Sequence, residues 1–233
     1  DAEEGRSAFA AKGGGSRIGE RLCELPLTLG SDPDYPGLAC APFQVVFASG
    51  DESVFDNGLP ASATDWIAAG TLADLWRTRN WAARTGAQFR PAVQNLILSG
   101  GGDSGGGDGG GMDENPADHR PGSSGGSLAE MIRRVDRGLL VCCLWYIRSV
   151  DPQSLLLTGL TRDGVYLIED GQVRGMVNNF RFNESPLDLL SRVVEVGRTV
   201  PALSREWAED FPRTAMPVLR VADFNMSTVS QAS

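Results

Sequence analysis

Leu139-Leu-Val-Cys-Cys-Leu-Trp-Tyr-Ile147 forms, with Gly138, the longest apolar run of the chain. The run is about half as long as a membrane span, and its aromatic and β-branched side chains favour a strand. Because both faces of this strand are apolar, we expect it to be buried on both sides. Cys142 and Cys143 then point to opposite faces. A disulfide between them is therefore not expected, and the cysteines are interpreted as small buried hydrophobic residues.

Two further segments predict short hairpins. Val165-Tyr-Leu-Ile-Glu-Asp-Gly-Gln-Val-Arg-Gly-Met176 turns about Asp170-Gly171, and Asp65-Trp-Ile-Ala-Ala-Gly-Thr-Leu-Ala-Asp-Leu75 turns about Gly70. Both contain the pattern Ile-x-x-Gly-x-(Leu/Val), which suggests two related hairpins packed in one core; a chance match is the competing explanation. Phe43 to Phe47 is also apolar and β-rich.

Helix signals occur at three places. Ser127-Leu-Ala-Glu130 is a capping box, and Gly138 is placed to end the helix that follows. Ser185-Pro-Leu-Asp188 supplies a cap, a first-turn proline and an acidic residue, with Gly197 at the predicted end. A third, weaker helix is predicted from Thr78 to Arg84, before Gly86. The predicted fold class is α+β: a strand-dominated, largely antiparallel β core with two or three helices.

A low-complexity segment divides the sequence. From Ser99 to Gly111 the chain is almost entirely Gly with Asp and Ser, and polar, Pro-containing sequence continues to Gly126. Such a segment cannot offset its ordering entropy by burial, so residues 99–126 predict a flexible surface loop. We expect the elements on either side of this loop to pair in one sheet, which makes residues 1–233 a single domain.

Composition excludes several classes of function. The formal net charge is −9, and this acidic balance opposes nucleic-acid binding, for which no concentrated basic patch is found. No apolar run is long enough to anchor the chain in a membrane. The N-terminal residues lack the basic and apolar regions of a signal peptide, so a cytoplasmic location is expected.

The residues required for intrinsic catalysis are not found in the sequence. A catalytic zinc site needs about three converging ligands, but His119 is the single histidine of the chain and lies in the Gly-rich segment. Cys143 lacks an adjacent imidazole partner that would activate its thiol. No metal ligand and no catalytic residue is therefore assigned.

Two arginines flank predicted strand ends. Arg148 is followed by Asp151, and Arg162 by Asp163. One interpretation is that these are surface or inter-strand ion pairs, each worth little. The other is that Arg148 and Arg162 hold the carboxylate of a peptide-like ligand or of a partner chain.

Longer motifs resemble the TldD/PmbA family. They are Trp145-Tyr-Ile-Arg-Ser-Val-Asp-Pro152, Thr158-Gly-Leu-Thr-Arg-Asp-Gly164, Asn178-Asn-Phe-Arg-Phe-Asn-Glu-Ser-Pro186 and Met216-Pro-Val-Leu-Arg-Val-Ala-Asp-Phe-Asn-Met-Ser-Thr-Val-Ser230. Active members of this family are zinc-dependent peptidases and amide hydrolases with an N-terminal and a β-rich C-terminal domain. The chain resembles the C-terminal domain of the metal-free TldE/PmbA-type subunit, because residues 200–215 lack the cysteine that binds zinc in active members.

The resemblance implies a partner. In such a two-chain peptidase the zinc belongs to a TldD-type homologue, so this chain itself would carry no cofactor. The substrate would be an unfolded peptide or a small amide natural product. Candidate residues for a cleft or partner contact are Trp145, Arg148, Arg162, Asn178 and Arg181. The alternative is a stand-alone binding or scaffold protein that has lost hydrolysis.

Overall fold

The computed structural model describes residues 2, 4–47, 53–100, 125–207 and 211–230. Strands dominate these residues, and the three α-helices have six or seven residues each. No helix in the described ranges is long and apolar enough to cross a membrane. The strands are β1 (Thr28–Ser31), β2 (Thr64–Ala68), β3 (Thr71–Leu72), β4 (Asn95–Ser99), β5 (Arg137–Asp151), β6 (Leu156–Glu169), β7 (Gln172–Met176), β8 (Asn179–Glu184), β9 (Val193–Ala202), β10 (Arg213–Val221) and β11 (Met226–Ser230); the helices are α1 (Arg79–Thr85), α2 (Leu128–Arg133) and α3 (Pro186–Ser191).

The strands form two sheets. One has the order β3-β2-β1-β4-β10-β9, and the other has the order β11-β8-β6-β5 with β7 also paired to β6. Neighbouring strands are antiparallel except β4 and β10, which run parallel. The predicted α+β fold with a largely antiparallel β core is therefore confirmed. The pairing of β4 with β10 also confirms that elements on either side of the Gly-rich segment share a sheet, although residues 101–124 lie outside the described ranges.

Both predicted hairpins form, and both turn through a pair of left-handed residues. Ala69 and Gly70 have φ values of 47° and 87°, and Asp170 and Gly171 have values of 51° and 70°. Positive φ at both central residues is the type I′ geometry that matches the twist of antiparallel strands. A Cβ atom at Gly70 would lie 2.5 Å from the carbonyl oxygen of Cys23, so this turn requires glycine.

The prediction that the two hairpins pack in one core is wrong. β2 and β3 belong to the six-stranded sheet, whereas β6 and β7 belong to the five-stranded sheet. The similar sequences encode the same turn, but sheet membership is set by strand partners distant in sequence. The residues from Phe43 to Phe47 form no regular strand, although Phe43 makes an isolated bridge to Pro60.

The predicted helix starts are confirmed, and two of the predicted ends are wrong. The predicted side-chain cap at Ser185 is also wrong, because its hydroxyl donates to the Ser154 carbonyl oxygen instead. α1 is capped by the Thr78 hydroxyl and ends at Gly86 in the left-handed region. α2 begins with the predicted capping box, in which Ser127 and Glu130 bond each other's backbone N–H groups. However, Gly138 is already part of β5. Gly197 lies in β9, where a Cβ atom would be 2.6 Å from the sulfur of Met131. The absence of a side chain at this position therefore allows α2 to pack closely against the sheet.

β5 also differs from the prediction. No side chain of this strand is fully buried, and Cys142, Tyr146 and Val150 are exposed. The reason is that β5, among the described residues, is the terminal strand of its sheet and pairs with β6 alone, so no neighbouring strand shields its outer side. The expectation that it is buried on both faces is therefore wrong, as is the expectation of a buried Cys142.

The apolar core lies against the six-stranded sheet. One cluster is centred on Leu22, Ile67 and Leu72, and a second on Cys23, Leu27 and Val193. The leucines of α3 pack against both clusters. α3 also connects β8 of one sheet to β9 of the other, so its burial fixes the five-stranded sheet to the core.

An ion pair with a buried carboxylate and a partly exposed guanidinium closes the same junction. Glu184 is 6% exposed, and its carboxylate accepts hydrogen bonds from Arg192 Nη2 at 2.5 Å and from the Asn225 backbone N–H at 2.6 Å. Arg192 Nη1 donates to the carbonyl oxygens of Ala222 and Asp223 at 3.0 and 2.6 Å. The pair thereby joins the β8–β9 connection to the β10–β11 connection.

We predict that Glu184→Gln destabilises the chain by about 2 kcal/mol, because the Arg192 side chain, which is 27% exposed, loses its counter-charge and the Asn225 N–H loses a charged acceptor. Urea unfolding measures the change. The matched control is Glu24→Gln, whose side chain is 91% exposed and lies 3.6 Å from Arg21; we expect it to change stability by less than about 0.5 kcal/mol. Equal effects of the two substitutions would contradict the assigned role of Glu184.

A second polar cluster holds the segment between β3 and α1. Asp74 accepts hydrogen bonds from Arg77 Nη1 at 2.7 Å, from Arg90 and from the Leu75 N–H at 2.9 Å. Burial raises the pKa of Asp74, but the bonds from Arg90, Leu75 and Arg77 together outweigh burial and leave the pKa below its usual value. The carboxylate therefore stabilises the fold while it is ionised.

We predict that the stabilisation from Asp74 is fully present above about pH 5 and disappears as the pH falls through the unfolded-state value of about 3.9 towards the lower folded pKa. The measurement compares the unfolding free energy of the wild type with that of Asp74→Asn between pH 7 and pH 3. The difference should shrink on acidification. A difference that stays constant with pH would show that the charge of Asp74 contributes nothing.

Candidate functional site

The exposed edge strand β5 is interrupted by a bulge. Trp145 lies opposite Leu160 and Arg148 lies opposite Thr158, so Tyr146 and Ile147 together face the single residue Gly159. Tyr146 has a φ of 54°, which is unusual for an aromatic residue. A bulge of this kind frees backbone groups from the ladder and re-aims the neighbouring side chains.

The bulge binds a carboxylate from elsewhere in the chain. The Ile147 N–H donates to Glu206 Oε1 and Oε2 at 3.0 and 2.8 Å, and Arg148 Nη1 donates to Oε1 at 2.9 Å. The Glu206 side chain is 14% exposed. The guanidinium of Arg148 also lies over the Tyr146 ring, 4.3 Å from its centroid. The strained residue therefore supports the arginine that binds the carboxylate.

The residue before Glu206 makes two further contacts. Arg205 forms an ion pair with Asp163 and lies over the Trp145 ring, 5.3 Å from its centroid. We name residues 204–207, which follow β9, the 204–207 segment. Its contacts attach it to the middle of the β5–β6 pair, where the bulge lies.

Four of the five candidate residues share one sheet face. Trp145, Leu160 and Arg181 form a cross-strand row by register, and Arg162 and Arg148 occupy same-face positions on β6 and β5. Asn178 is exposed and lies just before β8 begins. Arg162 and Arg181 are exposed and make no side-chain hydrogen bond or ion pair within the described part of the chain.

The ion pairs considered from the sequence are replaced by others. Arg148 pairs with Glu206 rather than Asp151, and Asp163 pairs with Arg205 rather than Arg162. Asp151 instead accepts bonds from the Ser154 hydroxyl and the Gln153 N–H, which lower its pKa. Glu206 and Arg205 were missed because they lie about sixty residues from β5 and carry no local motif.

Within the described ranges, no group of three or more His, Cys, Asp or Glu side chains is arranged to hold a metal ion. His119 lies outside these ranges. Cys23 is buried, and burial raises the pKa of its thiol, which disfavours the thiolate that binds metals. The described residues therefore do not fit a catalytic zinc ion.

Sequence comparison places the chain in a class of hydrolase domains. The family profile described as the PmbA/TldA metallopeptidase C-terminal domain matches residues 1–228. The chain belongs to this TldD/PmbA family. A comparison with curated proteins finds no match.

Solved structures show the same fold. TldE from Thermococcus kodakarensis is 17% identical with a TM-score of 0.65, and the match covers 98% of this chain and 46% of TldE. A putative modulator of a DNA gyrase from Thermotoga maritima is 18% identical with a TM-score of 0.65, covering 94% of this chain and 42% of that one. A putative modulator of DNA gyrase from Bacteroides thetaiotaomicron is 15% identical with a TM-score of 0.64, with coverages of 98% and 41%. The chain thus spans less than half the length of each.

Proposed function

We propose that this chain is the non-catalytic subunit, or the C-terminal half of one, in a two-chain TldD/TldE-type zinc peptidase or amide hydrolase. The zinc and the activated water would belong to a TldD-type partner. This chain would complete the cleft that accepts an unfolded peptide or a small amide natural product. We place the assembly in the cytoplasm and assign it no nucleic-acid or membrane partner.

The observation that carries this proposal is the family match over residues 1–228 combined with the poor fit of the described residues to zinc. A partner that holds the metal is consistent with a domain of a metallopeptidase family whose described residues form no metal-binding cluster. The resemblance to TldE is consistent with this role, although at 17% identity it supports the fold alone.

The edge of β5, to which no further described strand is paired, supports a role in peptide binding. An edge strand presents unpaired N–H and C=O groups, to which an extended peptide can add as a further strand. Leu139, Tyr146 and Val150 are exposed on β5 and would supply apolar contacts to side chains of the peptide. A folded substrate would be excluded, since strand addition requires an extended backbone.

The alternative function is a stand-alone binding or scaffold protein. The same uncovered edge would serve such a protein without hydrolysis. The two functions differ in one requirement, which is the zinc-bearing homologue.

We predict that co-expression with a zinc-bearing homologue from the same source yields a stable mixed complex that contains zinc and cleaves unfolded peptides. Complex mass, zinc content and cleavage of a denatured protein substrate are measured together. Zinc and cleavage should both be lost when the ligands of the homologue are substituted. Cys143→Ala in this chain is the matched control and should leave cleavage unchanged, since no thiol chemistry is assigned to it.

Two outcomes would contradict the proposal. If no mixed complex forms and the chain alone remains soluble and free of metal, the stand-alone binding protein becomes the better explanation. If the chain alone processes peptides without zinc, the requirement for a partner is wrong.

A further inference from the structure

The bulge of β5 contains two hydrogen-bond donors that a regular edge strand would not combine. The Ile147 N–H is not used in the ladder with β6, and the Arg148 guanidinium lies beside it. Both donate to one carboxylate, with distances between 2.8 and 3.0 Å. We propose that this bulge is a carboxylate-binding site for peptides, in which Glu206 occupies the position of the ligand carboxylate.

The chemistry of the donors favours a carboxylate. A backbone N–H and a guanidinium directed at one point both favour an anion. Arg148 reaches the carboxylate through a single nitrogen, Nη1, which also donates to the Ile147 carbonyl oxygen at 2.7 Å. The Tyr146 ring lies under the guanidinium of Arg148 and restricts its orientation. The site is therefore preorganised, because the strained backbone at Tyr146 fixes one donor and supports the other.

The surrounding charge also favours an anion. Arg162 and Arg181 lie on the face that carries Arg148 and have no charged partner within the described ranges, although the whole chain has a formal net charge of −9. By register, Arg162 and Arg181 are diagonal neighbours on β6 and β8, with backbones about 7–8 Å apart. An anionic ligand on this face would meet two guanidinium groups that have no counter-charge within the described ranges.

Glu206 is held in a way that permits exchange. The 204–207 segment is not part of a strand. Its other described ties are the contacts of Arg205 with Asp163 and Trp145, and a hydrogen bond at 3.1 Å from the Phe211 N–H to the Trp207 carbonyl oxygen. Both members of the Arg205–Asp163 pair are about half exposed, and exposed pairs contribute little to stability. A competing carboxylate therefore needs to displace only one glutamate and its weakly held neighbours.

The ligand is a peptide that brings a carboxylate to the uncovered edge of β5. The carboxylate is either the C-terminus of the peptide or the side chain of an acidic residue within it. This inference deepens the proposed role in peptide binding and rests on it. Its test uses this chain alone, so failure here would leave the zinc-bearing complex and its cleavage activity untouched.

The test is an NMR titration of the full chain and of its Glu206→Ala variant. The probes are tetra-alanine with a free C-terminus, the same peptide as its C-terminal amide, and an N-acetylated, amidated tetrapeptide with one glutamate. We expect Glu206→Ala to bind at least one carboxylate-bearing peptide about tenfold more tightly than it binds the neutral amide. The wild type should bind the same peptide more weakly than the variant does, because Glu206 competes for the site.

The variants separate a specific site from general charge attraction. Adding Arg148→Gln to Glu206→Ala should abolish the preference for the carboxylate. Glu169→Ala, which removes an exposed ion-pairing glutamate from the far end of β6, is the matched control and should not increase affinity. Preference for the free C-terminus alone identifies a terminal carboxylate as the ligand, and preference for the glutamate peptide alone identifies an acidic side chain. The proposal is overturned if Glu206→Ala does not distinguish carboxylate from amide, or if its preference survives Arg148→Gln.

Discussion

The ion pair between Glu184 and Arg192 is the interaction on which the arrangement of the two sheets depends. Within the described ranges, the chain crosses directly between the sheets at α3 and again at the residues between β10 and β11. Glu184 and Arg192 bond each other and the backbone of the second crossing. The five-stranded sheet is thereby fixed along β8 and β11, while β5 at its opposite end has no further strand paired to it within the described ranges. The exposed edge is thus a consequence of where the sheets are joined.

Local chemistry in the sequence was sufficient to predict most of the helices and turns. The capping box at Ser127, the glycine after α1 and the Asp170-Gly171 turn each depend on a few adjacent residues, and each forms as predicted. The assignment of strands to sheets could not be predicted in this way, because it depends on pairings between distant residues. The role of Gly197 in β9 is a further example, since it depends on contact with Met131, which lies in α2.

In the candidate site, too, the local features could be predicted and the long-range contacts could not. Trp145, Arg148, Arg162 and Arg181 were selected from the sequence, and the register places them on one face of the sheet. The partner of Arg148 could not be predicted, because Glu206 follows a different strand in the other sheet. The left-handed conformation of Tyr146 was also hidden, since nothing in an apolar run distinguishes a bulge from a regular strand. The carboxylate contact and the bulge, which distinguish this face, therefore depend on tertiary structure and not on a local sequence motif.

The bond between the Ile147 N–H and the Glu206 carboxylate is tested most directly by amide hydrogen exchange. The exchange rate at Ile147 is measured in the wild-type chain and in Glu206→Ala. We expect the Ile147 amide to exchange at least about ten times more slowly in the wild type than in the variant. The reason is that its hydrogen bond is to the Glu206 carboxylate, which the variant lacks, and not to a strand of the sheet. Adding a saturating carboxylate-bearing peptide to the variant should restore the protection. An Ile147 amide that exchanges equally fast in both chains would contradict the account, because the bulge would then hold no carboxylate in solution.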